Sequence, residues 1–139
     1  MMTKRFLLAT SAAALVLAPT FALADAHMAE LEAAAKAEGT LTTIALPDSW
    51  CGYGDVIAGF KAKYPEIAYN GLNPDAGSAD EIEAIKANKD NKGPQAPDVI
   101  DVGLSFGPSA MAEGLLQPYK VSTWDTIPDS AKDADGHWY

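Results

Sequence analysis

The stretch Asp48-Ser-Trp-Cys-Gly-Tyr53 crowds a carboxylate, a hydroxyl, an indole, a thiol and a phenol onto one short connection, with Gly54 following. Such a set can do two kinds of chemistry. The rings of Trp50 and Tyr53 can pack on an apolar or cationic solute while Asp48 and Ser49 hydrogen-bond its polar groups. Alternatively, Cys51 can act as a nucleophile if a turn at a helix N-terminus lowers its pKa. Connections lie on the surface, so an exposed indole is costly unless it meets something. A second loop, Gly103-Leu-Ser-Phe-Gly-Pro108, again places an aromatic, a serine and glycines beside a helix start. Free N–H groups at a helix start favour anions or polar oxygens. The expected ligand-binding residues are therefore Asp48, Ser49, Trp50, Tyr53, Ser105 and Phe106.

A thiol nucleophile needs a base, and only His137 is a candidate. No local pattern of the cysteine hydrolases surrounds Cys51. There is no H-E-x-x-H or C-x-x-C spacing and the carboxylates are scattered, so no metal, no cofactor and no enzymatic activity are expected. Plainer roles exist for every candidate. Trp50 can cover the end of a sheet, and Tyr53 can be the first core residue of its helix. Asp48 and Ser49 can serve as helix caps or turn formers, and Ser105 and Phe106 can belong to the turn that Gly107-Pro108 requires. Ser78 reads as a cap, Cys51 as a small packed residue, and His27 and His137 as solvated surface residues.

The elements that must position these residues follow from periodicity. Ala26–Glu38 has Met28, Leu31 and Ala35 at helical spacing, with Gly39 at the C-cap position. Leu41–Leu46 reads as a strand stopped by Pro47. Gly54–Tyr64 places Val56, Ile57, Phe60 and Tyr64 on one helical face before Pro65. Ile67–Tyr69 is a second strand closed by Asn70-Gly71. Ser78-Ala-Asp-Glu81 matches a capping box ahead of Ile82 and Ile85, and that helix ends in a lysine- and asparagine-rich loop with Gly93, Pro94 and Pro97. Val99–Val102 is a third strand, and Pro108 fits the first position of a short helix ending at Gly114. Beyond Leu115-Leu116 the chain turns irregular, and Asp135-Gly136 with Trp138 looks like the start of another strand. Strands alternating with helices mean βαβ units around a parallel sheet, an α/β fold with its ligand site at the carboxyl ends of the strands.

Lys4 and Arg5, an uncharged run from Phe6 to Leu23, and Ala22-Leu-Ala24 form the n-region, h-region and A-x-A site of a signal peptide, residues 1–24. Cleavage is expected after Ala24, with a retained anchor as the alternative, and the mature chain, 25–139, is expected to be exported and soluble. Cleavage removes two bases and no acid, taking the formal net charge from −9 to about −11. Arg5 is the only arginine, so bidentate phosphate clamps are lacking and nucleic acid is not an expected partner. A single cysteine permits no internal disulfide, so a packed core must supply stability. About 115 mature residues suffice for one small domain.

The run AEGTLTTIALPDSW…FKAKYPEI followed by PDVIDVGLSFGPSAMAEGLLQPY resembles the N-terminal lobe of type II periplasmic solute-binding proteins of ABC transporters, extracellular solute-binding protein family 1. The resemblance covers nearly all of residues 26–139. It implies a monomeric periplasmic protein whose two α/β lobes close on a small solute and deliver it to a membrane permease with its ATPase. Family members run to several hundred residues, so the resemblance further implies that this chain is a fragment or a truncated reading frame lacking the second lobe. Trp50 and Tyr53 have the Trp-x-x-Tyr spacing of the first loop of the polyamine binders, where aromatics pack on methylenes and carboxylates hold amines. Gly52 stands where those proteins often carry a polar or acidic residue, a gap that Asp48 and Asp55 can fill. Ferric ion, sugars, phosphonates and thiamine-like solutes remain open within the family. A secreted interaction module without solute binding is the alternative from another class.

Overall fold

The computed structural model of the chain describes residues 21–139. The n-region and most of the apolar run of the expected signal peptide lie outside the described residues. Helix α1 (Phe21–Glu38) begins before the expected Ala26 and runs through the position after Ala24. It stops where Gly39 takes φ +75° and its N–H meets the Ala35 carbonyl at 2.9 Å, a left-handed cap that glycine adopts without a Cβ penalty. Met28 and Leu31 remain exposed, so helical spacing here does not bury an apolar face. Polar contacts hold α1 instead: Tyr64 Oη donates to Glu32 Oε1 at 2.6 Å, and Lys36 Nζ pairs with Glu66 Oε1 at 2.7 Å.

Strand β1 (Thr40–Ile44), helix α2 (Tyr53–Lys63) and strand β2 (Ala68–Leu72) form a βαβ unit. The strands run parallel, in register from Thr40 opposite Ala68 to Ile44 opposite Leu72. The β-branched run Thr-Leu-Thr-Thr-Ile favours the pleated conformation, and Thr42, Thr43 and Ile44 are buried. Helix α2 ends at Tyr64 because Pro65 disfavours helical geometry in the residue before it. Its buried stripe is narrower than the spacing implied. Ile57 is buried and Phe60 and Tyr64 are half-buried, whereas Val56 stands 66% exposed; adjacent helical residues point about 100° apart, which puts Val56 at the margin of a stripe centred on Ile57.

Several expected boundaries move. Asn70-Gly71 does not close β2 but continues it, because Asn70 Nδ2 donates to Thr42 Oγ1 at 3.2 Å and to the Pro94 carbonyl at 2.7 Å. The third strand contracts to one parallel bridge, Thr43 with Val99. Asp98 explains this: its N–H donates to the Thr42 carbonyl at 2.8 Å while its carboxylate accepts the Thr42 N–H at 2.8 Å. A side chain thus takes a backbone donor that a longer ladder would use. In helix α3 (Ser78–Ala87) the expected box does not form: the N-cap is Gly77, which has no side chain to accept an N–H, and only the return half is made, with Asp80 Oδ2 accepting the Gly77 N–H at 2.9 Å. Ser78 is therefore the first helical residue and not the cap, and Glu81 is free for another role. Helix α4 (Phe106–Ala112) starts two residues before Pro108, which still lies in the first turn where no proline N–H is needed.

Beyond Gly114 the chain makes two short 3-10 turns, Trp124–Thr126 and Asp129–Ala131. Asp135-Gly136 forms a turn and not a strand: the Gly136 N–H meets the Asp133 carbonyl at 3.0 Å and Gly136 has φ +89°. Trp138 packs so closely on Gly107 that a Cβ there would lie 2.8 Å from the indole. The buried apolar residues are Ile44, Ala45, Ile57, Ile67, Ile82 and Ala110. The described chain is thus a small α/β domain with a two-stranded parallel sheet and four α-helices.

Candidate functional site

Because β1 and β2 are parallel and Val99 pairs in the same sense, the connections after Ile44, after Leu72 and after Val99 all leave one end of the sheet. That end is where open parallel sheets place ligands. The first connection is tightly wound: the Trp50 N–H reaches the Pro47 carbonyl at 3.1 Å, the Tyr53 N–H the Trp50 carbonyl at 2.9 Å, and the Gly54 N–H the Asp48 carbonyl at 3.2 Å. Gly54 is required there, since a Cβ would sit 2.8 Å from the Asp48 carbonyl oxygen. Ala45 and Cys51 hold φ values of 59° and 47°, a left-handed conformation that costs a non-glycine residue roughly 1–2 kcal/mol. Strain of this kind persists only where surrounding contacts hold it, and it clusters at sites of function.

The loop presents two rings. Trp50 is 54% exposed and its ring centroid lies 5.9 Å from that of Tyr53, tilted by 51°. Tyr53 is half-buried, and its hydroxyl donates to Asp101 Oδ2. Burial first, and this hydrogen bond second, hold the phenol well above its ordinary pKa. The Asp101 N–H in turn donates to Glu81 Oε2 at 3.0 Å. Glu81 is 1% exposed, and burial pushes its carboxyl up to about 7 against the help of that N–H. Beside it, the Gly103 N–H donates to Ser78 Oγ at 3.0 Å. Hydrogen bonds therefore stitch α2, α3 and the third connection together under the aromatic loop.

Of the six residues expected from the sequence, Trp50 and Tyr53 stand together. Asp48 and Ser49 lie on the same loop, exposed, and Ser105 is exposed at the N-cap of α4. None of these three side chains makes a hydrogen bond among the described residues, and Gly52, not Asp48 or Ser49, caps α2. Their polar groups are thus not consumed by capping. Phe106 is half-buried as the first residue of α4. Cys51 is exposed and not packed. His137 gives its Nδ1 to Asp133 Oδ2 at 2.8 Å, which lowers the pKa of Asp133.

Three residues of the site were not expected from the sequence: Asp101, Glu81 and Ser78. Asp101 carried one signal, a carboxylate inside the otherwise apolar run Val99–Val102. Glu81 and Ser78 matched a capping box so well that the motif masked them.

Two cavities, about 710 and 830 Å³, lie elsewhere. The first runs between residues 97–104 and the C-terminal Tyr119, Trp138 and Tyr139, touching the site through Asp101. The second lies around Thr40, Asn88 and Gly93. None of the six expected residues lines either. Among the described residues no cluster of His, Cys, Asp and Glu could hold a metal ion, and no helix is long and apolar enough to cross a membrane. No protein-family model matches the chain, and no curated protein matches it.

Proposed function

We propose that the chain supplies one wall of a solute-binding cleft in the exported substrate-binding component of an ABC importer, with a polyamine as solute. The observation that carries this reading is the pair of adjoining rings, Trp50 and Tyr53, at the carboxyl end of the parallel sheet with Asp101 hydrogen-bonded to the phenol. Ring faces attract cations and pack on methylenes. The carboxylates of Asp48 and Asp55, both exposed on the same loop and helix start, offer partners for ammonium groups, and Ser105 and Phe106 extend the wall from the third connection.

Such a protein does no chemistry. Solute contact with this wall and with a second lobe stabilises a closed state, and closure requires tighter binding to that state than to the open one. A membrane permease with its ATPase would read the closed shape, and the protein would work as a monomer in the periplasm. Ferric ion or another small polar solute would use the same wall.

A secreted interaction module is the second reading, favoured by Val99 and Leu104, which are 50% and 60% exposed along the 710 Å³ groove. A thermal-shift screen separates the two. Under the solute reading, putrescine or spermidine raises the melting midpoint of the wild-type protein and not of Trp50→Ala, because ligand that binds only the folded state stabilises it. A folded protein that responds to no polyamine, ferric citrate, sugar, amino acid or phosphonate would favour the module.

A further inference from the structure

Glu81 is the most deeply buried charged side chain among the described residues, and the solute reading makes no direct use of it. Its position at the start of α3 and the Asp101 N–H both favour a carboxylate. Burial opposes them. The groups that face it add to the opposition: Asp80 on its own helix and Asp101 from the third connection are both acidic. Tyr53 faces it from α2, with its hydroxyl already given to Asp101. No lysine or histidine is ion-paired with Glu81 or Asp101 among the described residues.

We propose that Glu81 is a proton-operated latch beneath the candidate site: protonated, it seats the Asp101 connection against α3, and ionised, it loosens that connection together with Tyr53 and the Trp50 loop. The neutral acid carries its proton on Oε1 and leaves Oε2 to accept the Asp101 N–H, with no charge set against the Asp101 carboxylate. Loss of the proton leaves an anion with one N–H donor and two acidic neighbours. Opening the junction to water is the available way to solvate it. Because Asp101 also accepts the Tyr53 hydroxyl, the loosening passes to the loop that carries Trp50.

The direction with pH follows from linkage. The folded-state pKa lies above the ordinary carboxyl value of 4.5, at about 7. The contribution of Glu81 to stability is therefore fully present below the ordinary value and is lost as pH rises through the folded one. In functional terms, which rest on the solute reading, the wall is best ordered in mildly acidic medium. The latch itself is a property of the solute-free protein.

The test therefore needs no solute. The Asp101 amide of the full chain is followed by ¹H–¹⁵N spectroscopy between about pH 5 and about pH 8. The expected result is a transition with its midpoint near the value assigned to Glu81, accompanied by shifts at Trp50 and Tyr53, and its disappearance in Glu81→Gln. The amide oxygen of glutamine keeps an acceptor for the Asp101 N–H without titrating. A midpoint in the ordinary carboxyl range, or the same transition persisting in Glu81→Gln, would overturn the latch. If the variant does not fold, the wild-type midpoint and the response of Trp50 still decide. Failure of every solute in the thermal-shift screen would sink the solute reading and leave this result untouched.

Discussion

At the scale of single residues, the site rests on exposed groups held by buried ones. Trp50→Ala removes a side chain that is 54% exposed, so its expected effect on urea stability is within roughly 0.5 kcal/mol while the solute-induced shift is lost. Gly54→Ala should behave in the opposite way. Its Cβ would press on the Asp48 carbonyl, a backbone atom that cannot swing aside, and a cost of about 1–3 kcal/mol in a urea titration is expected. Equal stability of Gly54→Ala and wild type would mean that the loop is not wound as described. Trp50 and Tyr53 were legible because their residue types and spacing announce an aromatic surface. The roles of Asp101 and Glu81 were not. Each depends on which N–H or hydroxyl lies opposite in space, across 48 residues for Tyr53 to Asp101 and 20 for Glu81 to Asp101.

At the scale of elements, local pattern located the helices and the first two strands, and long-range pairing set their limits. Gly39 and Pro65 stop α1 and α2 by backbone geometry alone, which sequence carries directly. The third strand was misread because Val-Ile-Asp-Val has strand propensity, whereas Asp98 takes the Thr42 N–H with its side chain. Thr42 is 2% exposed, so Asp98→Ala leaves a buried donor without an acceptor and should cost about 1–3 kcal/mol. Asp98→Asn, which keeps an oxygen there, should cost less. Hydrogen exchange at the Thr42 amide checks this, and unchanged protection in Asp98→Ala would rule it out. The capping box failed more subtly. Gly77 and Ser78 are both acceptable at an N-cap, and an acid follows each three residues on, so the helix can start in either register although only Ser78 could complete the box. Burial of Glu81 in contact with Asp101 selects the one that the motif alone does not.

At the scale of the whole molecule, few apolar side chains are buried, so the stability expected is at the low end of the range for small domains, about 5 kcal/mol. Its pH dependence has two arms of opposite sign. Glu32, Glu66 and Asp133 have pKa values lowered by Tyr64, Lys36 and His137 respectively, so their contribution is present above the ordinary carboxyl range and is lost on acidification. Glu81 contributes fully below the ordinary carboxyl value of 4.5 and loses its contribution as pH rises from there to about 7. The melting midpoint should therefore peak near the ordinary carboxyl range, at about pH 5, fall from there to about pH 7 only while Glu81 is present, and level off above. A midpoint that rises steadily to pH 8 would contradict this balance. The α/β class was legible at this scale, because alternation of strand and helix sets it. The central claim is that the wall formed by Trp50, Tyr53 and the third connection takes up a small cationic solute. Its most direct test is a titration of the ¹⁵N-labelled chain with putrescine and spermidine, read as amide and indole shift changes. Saturable changes confined to residues 48–55 and 100–106 are predicted; changes centred on Tyr119, Trp138 and Tyr139, or none at all, would contradict it.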